Sequence, residues 1–313
     1  MYYSFMIDPK LRVLQMVAHY GTVTAAAAAL HYTPSAVSHQ LRQLAAELGV
    51  DLLSQYGRGI RLTAAARTVL RHADVLYAQV ERAEAELMAS VDEPAGSFTV
   101  CGFSTAATHL LPPAAASLRD RYPHLSVRVI EAEPSRGFDL LLAGDADLAL
   151  LTATGQTPPS SDQRFDQRPL LDDPLDLVVP EQHHLAARSR VTLADAADES
   201  WIVGRPGSAY HHLVLTACQA AGFTPNIAHY ADEWDTGTAL VAHHFGIILV
   251  PRLARLHEEW PVERVRLSGE PAPARRILAT TRLGGREHPM VAHALDTITT
   301  TAATLLPQPQ PAE

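Results

Sequence analysis

Apolar positions in residues 11–90 recur every three or four residues with sharp interruptions, which predicts four helices in succession. Leu11, Leu14, Val17 and Ala18 mark the first, which ends at Gly21. The second runs from Thr24, read as its N-cap, through five alanines to Leu30, short-armed and strongly helical. His31, Tyr32, Thr33 and Pro34 interrupt the pattern; Pro34 disfavours helix at Thr33 but suits the first turn of a new one. The third helix starts near Ser35 and carries Val37, Leu41 and Leu44 on one face, with Ser35, Ser38, His39 and Arg42 on another; its end passes Leu48 and is capped by Gly49. Asp51 to Gln55 and Ile60 to Leu62 read as two short strands around Tyr56-Gly57-Arg58-Gly59, a small wing with Arg58 and Arg61 at its tip and base. From Thr63 to about Ser90, Ala66, Val69, Ala73, Leu76, Val80, Ala83 and Leu87 form a heptad seam that calls for a partner, either the chain's own head or a second copy. Val91 to Gly96 reads as a hinge.

Beyond Ser97 the pattern becomes strand and helix in alternation, the signature of α/β architecture with a parallel sheet. Strands are expected at Phe98–Phe103, Ser126–Glu131, Asp147–Leu151, Leu175–Val179, Trp201–Val203, Ile247–Val250 and Arg275–Thr281, with helices after Ser104, at Phe138–Ala143 and at His288–Leu306. Two such sets with a late return segment imply two lobes joined by two crossovers. The divisions are 6–63 for a helical head with its wing, 64–90 for a linker helix and 97–306 for the body. Lobe 1 is about 97–165 plus 275–306, lobe 2 about 166–274, and 307–313 a disordered tail.

Composition narrows the class. The 313 residues are 47% hydrophobic and 19% charged, as in a soluble globular protein with sizeable cores. No apolar run approaches the ~20 residues of a membrane span, and the N-terminus lacks a signal-peptide pattern, so a cytoplasmic protein with no membrane partner is expected. The net charge of −9 argues against a protein that coats nucleic acid. It is unevenly spread: residues 1–66 hold five cations against three anions, so a mildly basic head sits on an acidic body.

The candidate chemistry is binding. The third helix can lie in a major groove and offer hydroxyl, imidazole and guanidinium groups to base edges, though periodicity alone equally permits a hairpin with a solvated polar face. Candidate DNA contacts are Thr24, Thr33, Pro34, Ser35, Ser38, His39 and Arg42, with Arg58 and Arg61 reaching flanking phosphates. In a two-lobed body, a ligand sits at strand C-termini and helix N-termini. That selects Ser104, Thr105, Thr152 and Thr154 on one lobe, and on the other Arg205 and Ser208 in a Gly-rich loop, with Phe245 closing the floor. Hydroxyls and a cation suit a small-molecule effector with a carboxylate or similar anion; helix capping is the alternative role for each hydroxyl, and pairing with a surface acid that for Arg205. No GxSxG, P-loop or HExxH occurs, and Asp145 and Asp147 read as turn and strand-edge residues, so neither an enzyme nor a cofactor is expected. Cys101 and Cys218 read as buried reduced thiols. The pairs His183-His184, His211-His212 and His243-His244 invite a metal, but neighbouring side chains on a helix or strand diverge and no acid joins them at ligand spacing, so no metal site is expected.

The series Leu11, Gly21, Thr24 to Ala27, Leu30, Ala36 to Ser38, Leu41, Leu44, Glu47 to Gly49, Arg58 and Leu62-Thr63 resembles the winged helix-turn-helix of LysR-type transcriptional regulators. The family reads DNA through positions that map to Pro34, Ser35, Ser38 and His39. Three positions depart from its pattern: His39 replaces Arg or Gln, Gln55 a frequent Arg, and Ala66 a frequent Gly. In the body, Tyr122-Pro123, Asp172 to Leu175, Val178 to Pro180, Gly222 to Pro225 and Val250-Pro251 resemble the family's effector-binding half, itself similar to periplasmic solute-binding proteins. The resemblance implies pairing through the linker helix, a homodimer or homotetramer, and a palindromic operator whose bend answers to an effector. The other class to weigh is a plain solute-binding module, against which the DNA-reading head argues.

Overall fold

The computed structural model describes residues 7–57, 59–155, 157–269 and 272–306. The wing-tip Arg58 and the segment 307–313 lie outside them. The head is built from α1 (Pro9–Tyr20), α2 (Val23–Ala29), α3 (Pro34–Leu48) and a hairpin of β1 (Leu53–Tyr56) with β2 (Gly59–Leu62). Local chemistry sets the ends. Asp8 accepts from the Lys10 N–H at 2.9 Å, and Gly21 stops α1 at φ 72°. Thr22, not Thr24, caps α2, accepting from the Ala25 N–H at 3.1 Å. Gly21 has already ended α1, so Thr22 is the residue left extended at the next helix entrance, and Thr24 falls within the first turn. Thr33 caps α3 with Pro34 at its first position, and Gly49 closes it at φ 67°. Leu14, Val17, Ala26, Ala27, Val37, Leu41 and Leu44 form the head core.

Thr63 caps α4 (Ala64–Ala89), accepting from the Ala66 N–H at 3.0 Å while donating to the Asp51 carbonyl at 2.7 Å. The expected seam is split between two surroundings. Ala66, Ala73 and Val80 are buried within the chain, whereas Leu76 and Leu87 are 50% and 57% exposed, beside Val75 at 52%. The reason is that α4 packs on the head at its start, where Ala66 joins the head core and Gln15 bonds Asp74, and lies across the body further on: Glu81 pairs with Arg282, and Gly284 approaches Ala78 so closely that a Cβ there would stand 2.3 Å from its carbonyl oxygen. The head also packs on the body, His19 Nε2 lying 2.6 Å from Asp139 and the Arg12 guanidinium donating to the Leu142 carbonyl.

The body holds β3 (Gly96–Gly102), α5 (Ser104–His109), α6 (Leu111–Arg121), β4 (Leu125–Glu131), α7 (Pro134–Ala143), β5 (Leu148–Thr152), β6 (Phe165–Pro180), β7 (Ser200–Val203), α8 (Ala209–Ala220), β8 (Asn226–Tyr230), α9 (Trp234–Ala242), β9 (Ile248–Pro251), β10 (Val262–Val265), β11 (Ala274–Arg282) and α10 (Pro289–Leu305). The lobe 1 sheet runs β4-β3-β5-β11-β6; β3 is parallel to β4 and β5, while β11 is antiparallel to β5 and β6. The sheet is therefore mixed, because β6 and β11 carry the chain out to lobe 2 and back in opposite directions. β6 begins at Phe165, so the 165/166 boundary falls at its first step: residues 165–174 pair with β11, and residues 175–180 with β9 and β10 of lobe 2. The second lobe adds β7 parallel to β8, joined to β9 by a bridge between Trp201 and Ile247. Separate cores fill the lobes, one around Val100, Leu148, Ile277 and Ile298, the other around Leu177, Trp201, Val214 and Leu249.

Candidate functional site

The outer face of the head is polar and open. Ser35, His39 and Arg42 are exposed along α3 and Ser38 is half-buried, while Val37, Leu41 and Leu44 point into the core. Thr33 is engaged as the cap, and its hydroxyl lies 2.9 Å from that of Ser35. Thr24 is exposed in the first turn of α2, and Arg61 is exposed on β2, where its carbonyl accepts from the Ser54 hydroxyl. A polar helix face flanked by a basic hairpin has the dimensions to enter a major groove while the wing meets the backbone.

Between the lobes lies a cleft of about 650 Å³. Ser104, Thr105, Thr152, Thr154, Arg205 and Ser208 line it; Phe245 does not. Phe245 precedes β9, at the opposite end of that strand from Pro251 in the cleft wall, and is half exposed with its ring edge-on to His229 at 5.2 Å. Three of the cleft's hydroxyl and amide groups are already committed. Thr105 accepts from Arg275, Ser208 caps α8 by accepting from the His211 N–H at 3.1 Å, and the Thr154 N–H donates to Thr157. Ser104 and Thr152 keep side-chain hydroxyls without an intramolecular hydrogen bond among the described residues. Gly204 is required beside Ser208, since a Cβ there would stand 2.7 Å from the Ser208 hydroxyl.

The floor is an ion pair that sequence reasoning missed. Arg275 donates from Nε and Nη2 to Asp173 at 2.9 and 2.8 Å, with its guanidinium 4.7 Å from the centre of the Phe103 ring. Asp173 is fully buried; burial raises its pKa, opposed by Arg275, and burial lowers that of Arg275. The other two lining arginines are paired as well, Arg205 with Asp232 and Arg276 with Asp172 at 2.9 Å. Against these, Glu131, Glu133 and Glu233 line the cleft with no ion pair or side-chain hydrogen bond among the described residues. Loss of hydration raises the Glu133 pKa, and Glu131 and Glu233 raise it further, so the acids of the two lobes feel one another. The balance is acidic, which does not favour the bare anion expected from the hydroxyls and Arg205. The acids obey the same rule that selected Ser104 and Thr152: Glu131 ends β4, and Glu133 and Glu233 stand at the N-caps of α7 and α9.

Of two further expectations, the cysteines agree with the structure and one histidine pair does not. Cys101 and Cys218 are free and buried, and burial pushes each thiol up to about 12. His183 and His184, set aside because neighbours diverge, converge with Glu199 so that one potential ligand atom from each lies within 4.8 Å of the others. Burial lowers the His183 pKa below its ordinary value.

Known proteins carry the same two parts. The model of the bacterial regulatory helix-turn-helix protein, lysR family, matches residues 9–67, and that of the LysR substrate binding domain matches residues 92–303. The transcriptional regulator AlsR of Bacillus subtilis is 30% identical over 241 residues, 76% of either chain. A hydrogen peroxide-inducible genes activator of Dickeya chrysanthemi is 28% identical over 263 residues, covering 82% of this chain and 81% of that one. Among solved structures, a full-length OxyR variant from Pseudomonas aeruginosa superposes with a TM-score of 0.65 at 20% identity, covering 96% of this chain and 98% of its own. Because the substrate-binding match alone spans more than half of the residues and the DNA-binding match covers the head, the chain belongs to the LysR family of transcriptional regulators.

Proposed function

We propose that this regulator binds a palindromic operator in the bacterial cytoplasm as a homodimer or a dimer of dimers, and that a small molecule in the interlobe cleft sets its response. The observation that carries the reading is the division of labour on α3: its apolar stripe is spent on the head core while Ser35, His39 and Arg42 remain open to a duplex. A plain solute-binding module would have no use for that face. Val75, Leu76 and Leu87, exposed along α4, support pairing with a second copy. The effector is an amine or guanidine, with or without a carboxylate of its own. Three unpaired glutamates favour it, and so does the engagement of every lining arginine by an aspartate. With Glu131 and Glu133 on one lip and Asp232 and Glu233 on the other, closing the lobes brings like charges together, and a cation between them relieves the repulsion.

Some relatives are named for induction by hydrogen peroxide. A thiol sensor needs a reachable thiolate. Both cysteines are buried with pKa values of about 12, so no peroxide response through them is proposed. The test is a gel shift with the DNA upstream of the chain's own gene, with panels of amines, amino acids and plain carboxylates. A sequence-specific complex altered by cationic but not by purely anionic compounds supports the reading; the absence of any specific complex at matched salt refutes it.

A further inference from the structure

We infer that lobe 2 carries a site for a divalent transition metal of the zinc class on His183, His184 and Glu199, separate from the cleft. The sheet brings these residues together. β6 ends at Pro180, β7 begins at Ser200 and β9 begins at Ile248. Val178 pairs with Ile248, and Trp201 bridges Ile247, so the end of β6 and the starts of β7 and β9 share one edge. The histidines follow the first of these, and Glu199 precedes the second. None of the three lines the cleft.

Neighbouring side chains diverge on a helix or strand, but His183 and His184 are on neither. The chain turns there: Gln182 adopts a left-handed φ of 66°, and the His183 N–H donates to the Pro180 carbonyl at 3.1 Å. The two rings end with centroids 4.5 Å apart. His183 Nε2 lies 3.6 Å from one Glu199 oxygen, and His184 Nε2 lies 3.7 Å from the other. Those separations are too long for hydrogen bonds. They run to different oxygens, and with one ligand atom taken from each residue the set lies within 4.8 Å, so a small inward rotation of these side chains reaches the edges of about 3.4 Å that metal–ligand bonds of roughly 2.0–2.2 Å require.

The donor set selects the metal. Two imidazoles and a carboxylate suit zinc, nickel, cobalt or copper, whereas calcium and magnesium prefer oxygen alone. Three protein ligands leave a fourth position for water. The His184 side chain is 58% exposed, which leaves a way in. Coordination through His183 Nε2 places the ring proton on Nδ1, so the 3.3 Å bond that Nδ1 accepts from the Leu185 N–H is exchanged for the metal bond. Loading ties together two loops at one end of the lobe 2 sheet.

The test uses the untagged full chain, stripped with EDTA and dialysed free of it. Calorimetric titration with Zn²⁺ is expected to give one saturable equivalent per chain, and Co²⁺ the intense visible absorption of a four-coordinate site. His184→Gln combined with Glu199→Gln should weaken binding by at least about 100-fold and abolish the cobalt band. His212→Gln, an exposed histidine of another pair, should change neither. Should the double variant fail to fold by circular dichroism, the exposed His184→Gln alone supplies the comparison, with a loss of about 10-fold or more. Wild-type protein that takes up no saturable zinc overturns the inference, as does zinc binding unchanged by loss of these ligands.

Discussion

Arg275→Met isolates the ion pair beneath the cleft. Asp173 is fully buried, and Arg275 meets it through two donors on one oxygen at 2.9 and 2.8 Å. Removing the guanidinium leaves the carboxylate with the Leu253 N–H at 3.1 Å as its principal remaining donor. Stranding one member of a buried pair costs about 3–5 kcal/mol. For a domain of this size that corresponds to a melting point lower by roughly 6–20 °C. The loss must also depend on pH. Burial already raises the Asp173 pKa, and Arg275 is the largest influence holding it down. In the variant, the folded-state pKa therefore rises further above the unfolded value. A group whose folded pKa is raised contributes stability that is present at low pH and lost as pH rises through that pKa. The deficit of Arg275→Met should accordingly be larger at pH 8 than at pH 5. Adding Asp173→Asn, which removes the stranded charge, should recover at least half of it. Urea unfolding followed by circular dichroism at both pH values measures each quantity. A loss below about 1 kcal/mol, a deficit that ignores pH, or a double variant no better than the single one would refute the reasoning.

Four further outcomes follow from the same geometry. Arg42→Ala should weaken operator binding in fluorescence anisotropy by about 1–3 kcal/mol without moving the melting point, since Arg42 is exposed on α3. Ser104→Ala should bind DNA as tightly as the wild type yet lose the effector-dependent change in a gel shift. Gly204→Ala should lower the unfolding free energy by about 1–2 kcal/mol, because the new methyl meets the Ser208 hydroxyl at 2.7 Å and disturbs the α8 cap. Leu76→Glu should shift the chain toward monomer in sedimentation velocity, as it puts a charge on the exposed apolar side of α4.

Much of the head could be read locally, because its helix ends obey short-range rules: Pro34 after an extended Thr33, Gly49 in a left-handed cap, Thr63 before a long helix. The α2 cap is misplaced in the sequence reading although its clue is local: the stop at Gly21 leaves Thr22 as the extended residue, but Thr24 at the start of the alanine run draws the assignment. In the body, β8, α9 and β10 escaped notice. β8 is an edge strand whose residues alternate between exposed and half-buried, with no apolar stripe to announce it. Missing β8 and α9 hid Asp232 and Glu233, which stand between them. Glu133 was hidden differently: an acid at a helix N-terminus reads as a favourable dipole contact, which masks any role in a cleft. Asp173 and Arg275 meet across the β6–β11 ladder, and Glu199 reaches His183 and His184 around a sheet edge. No local pattern marks either meeting, because register and strand order create them.

One strand connects the cleft to the linker helix. β11 begins at the cleft with Arg275 and Arg276, and ends at Arg282, which pairs with Glu81 of α4 and with Asp147 at 3.1 Å. Over those residues an extended strand spans about 24 Å. It is flanked on both sides in the lobe 1 sheet, by β5 and by β6, so it moves as a piece with that lobe and not as a loose connection. Just beyond it, Gly284 lies against the Ala78 carbonyl so tightly that a side chain would not fit, and Gly285 sits beside the Glu81 carboxylate. Lobe 2 can shift relative to lobe 1 only by working the two strands that cross between them, and one of these is clamped at its far end to the helix that carries the head. If a ligand closes the lobes and α4 pairs with a second copy, as proposed above, closure has a stiff mechanical route to the angle of α4 and to the spacing of two recognition helices. That route needs no rearrangement of either core. On the proposed mechanism the buried pair at Arg275 and Asp173 bears on regulation as well as stability, because it ties β11 to β6 just before β6 passes into lobe 2.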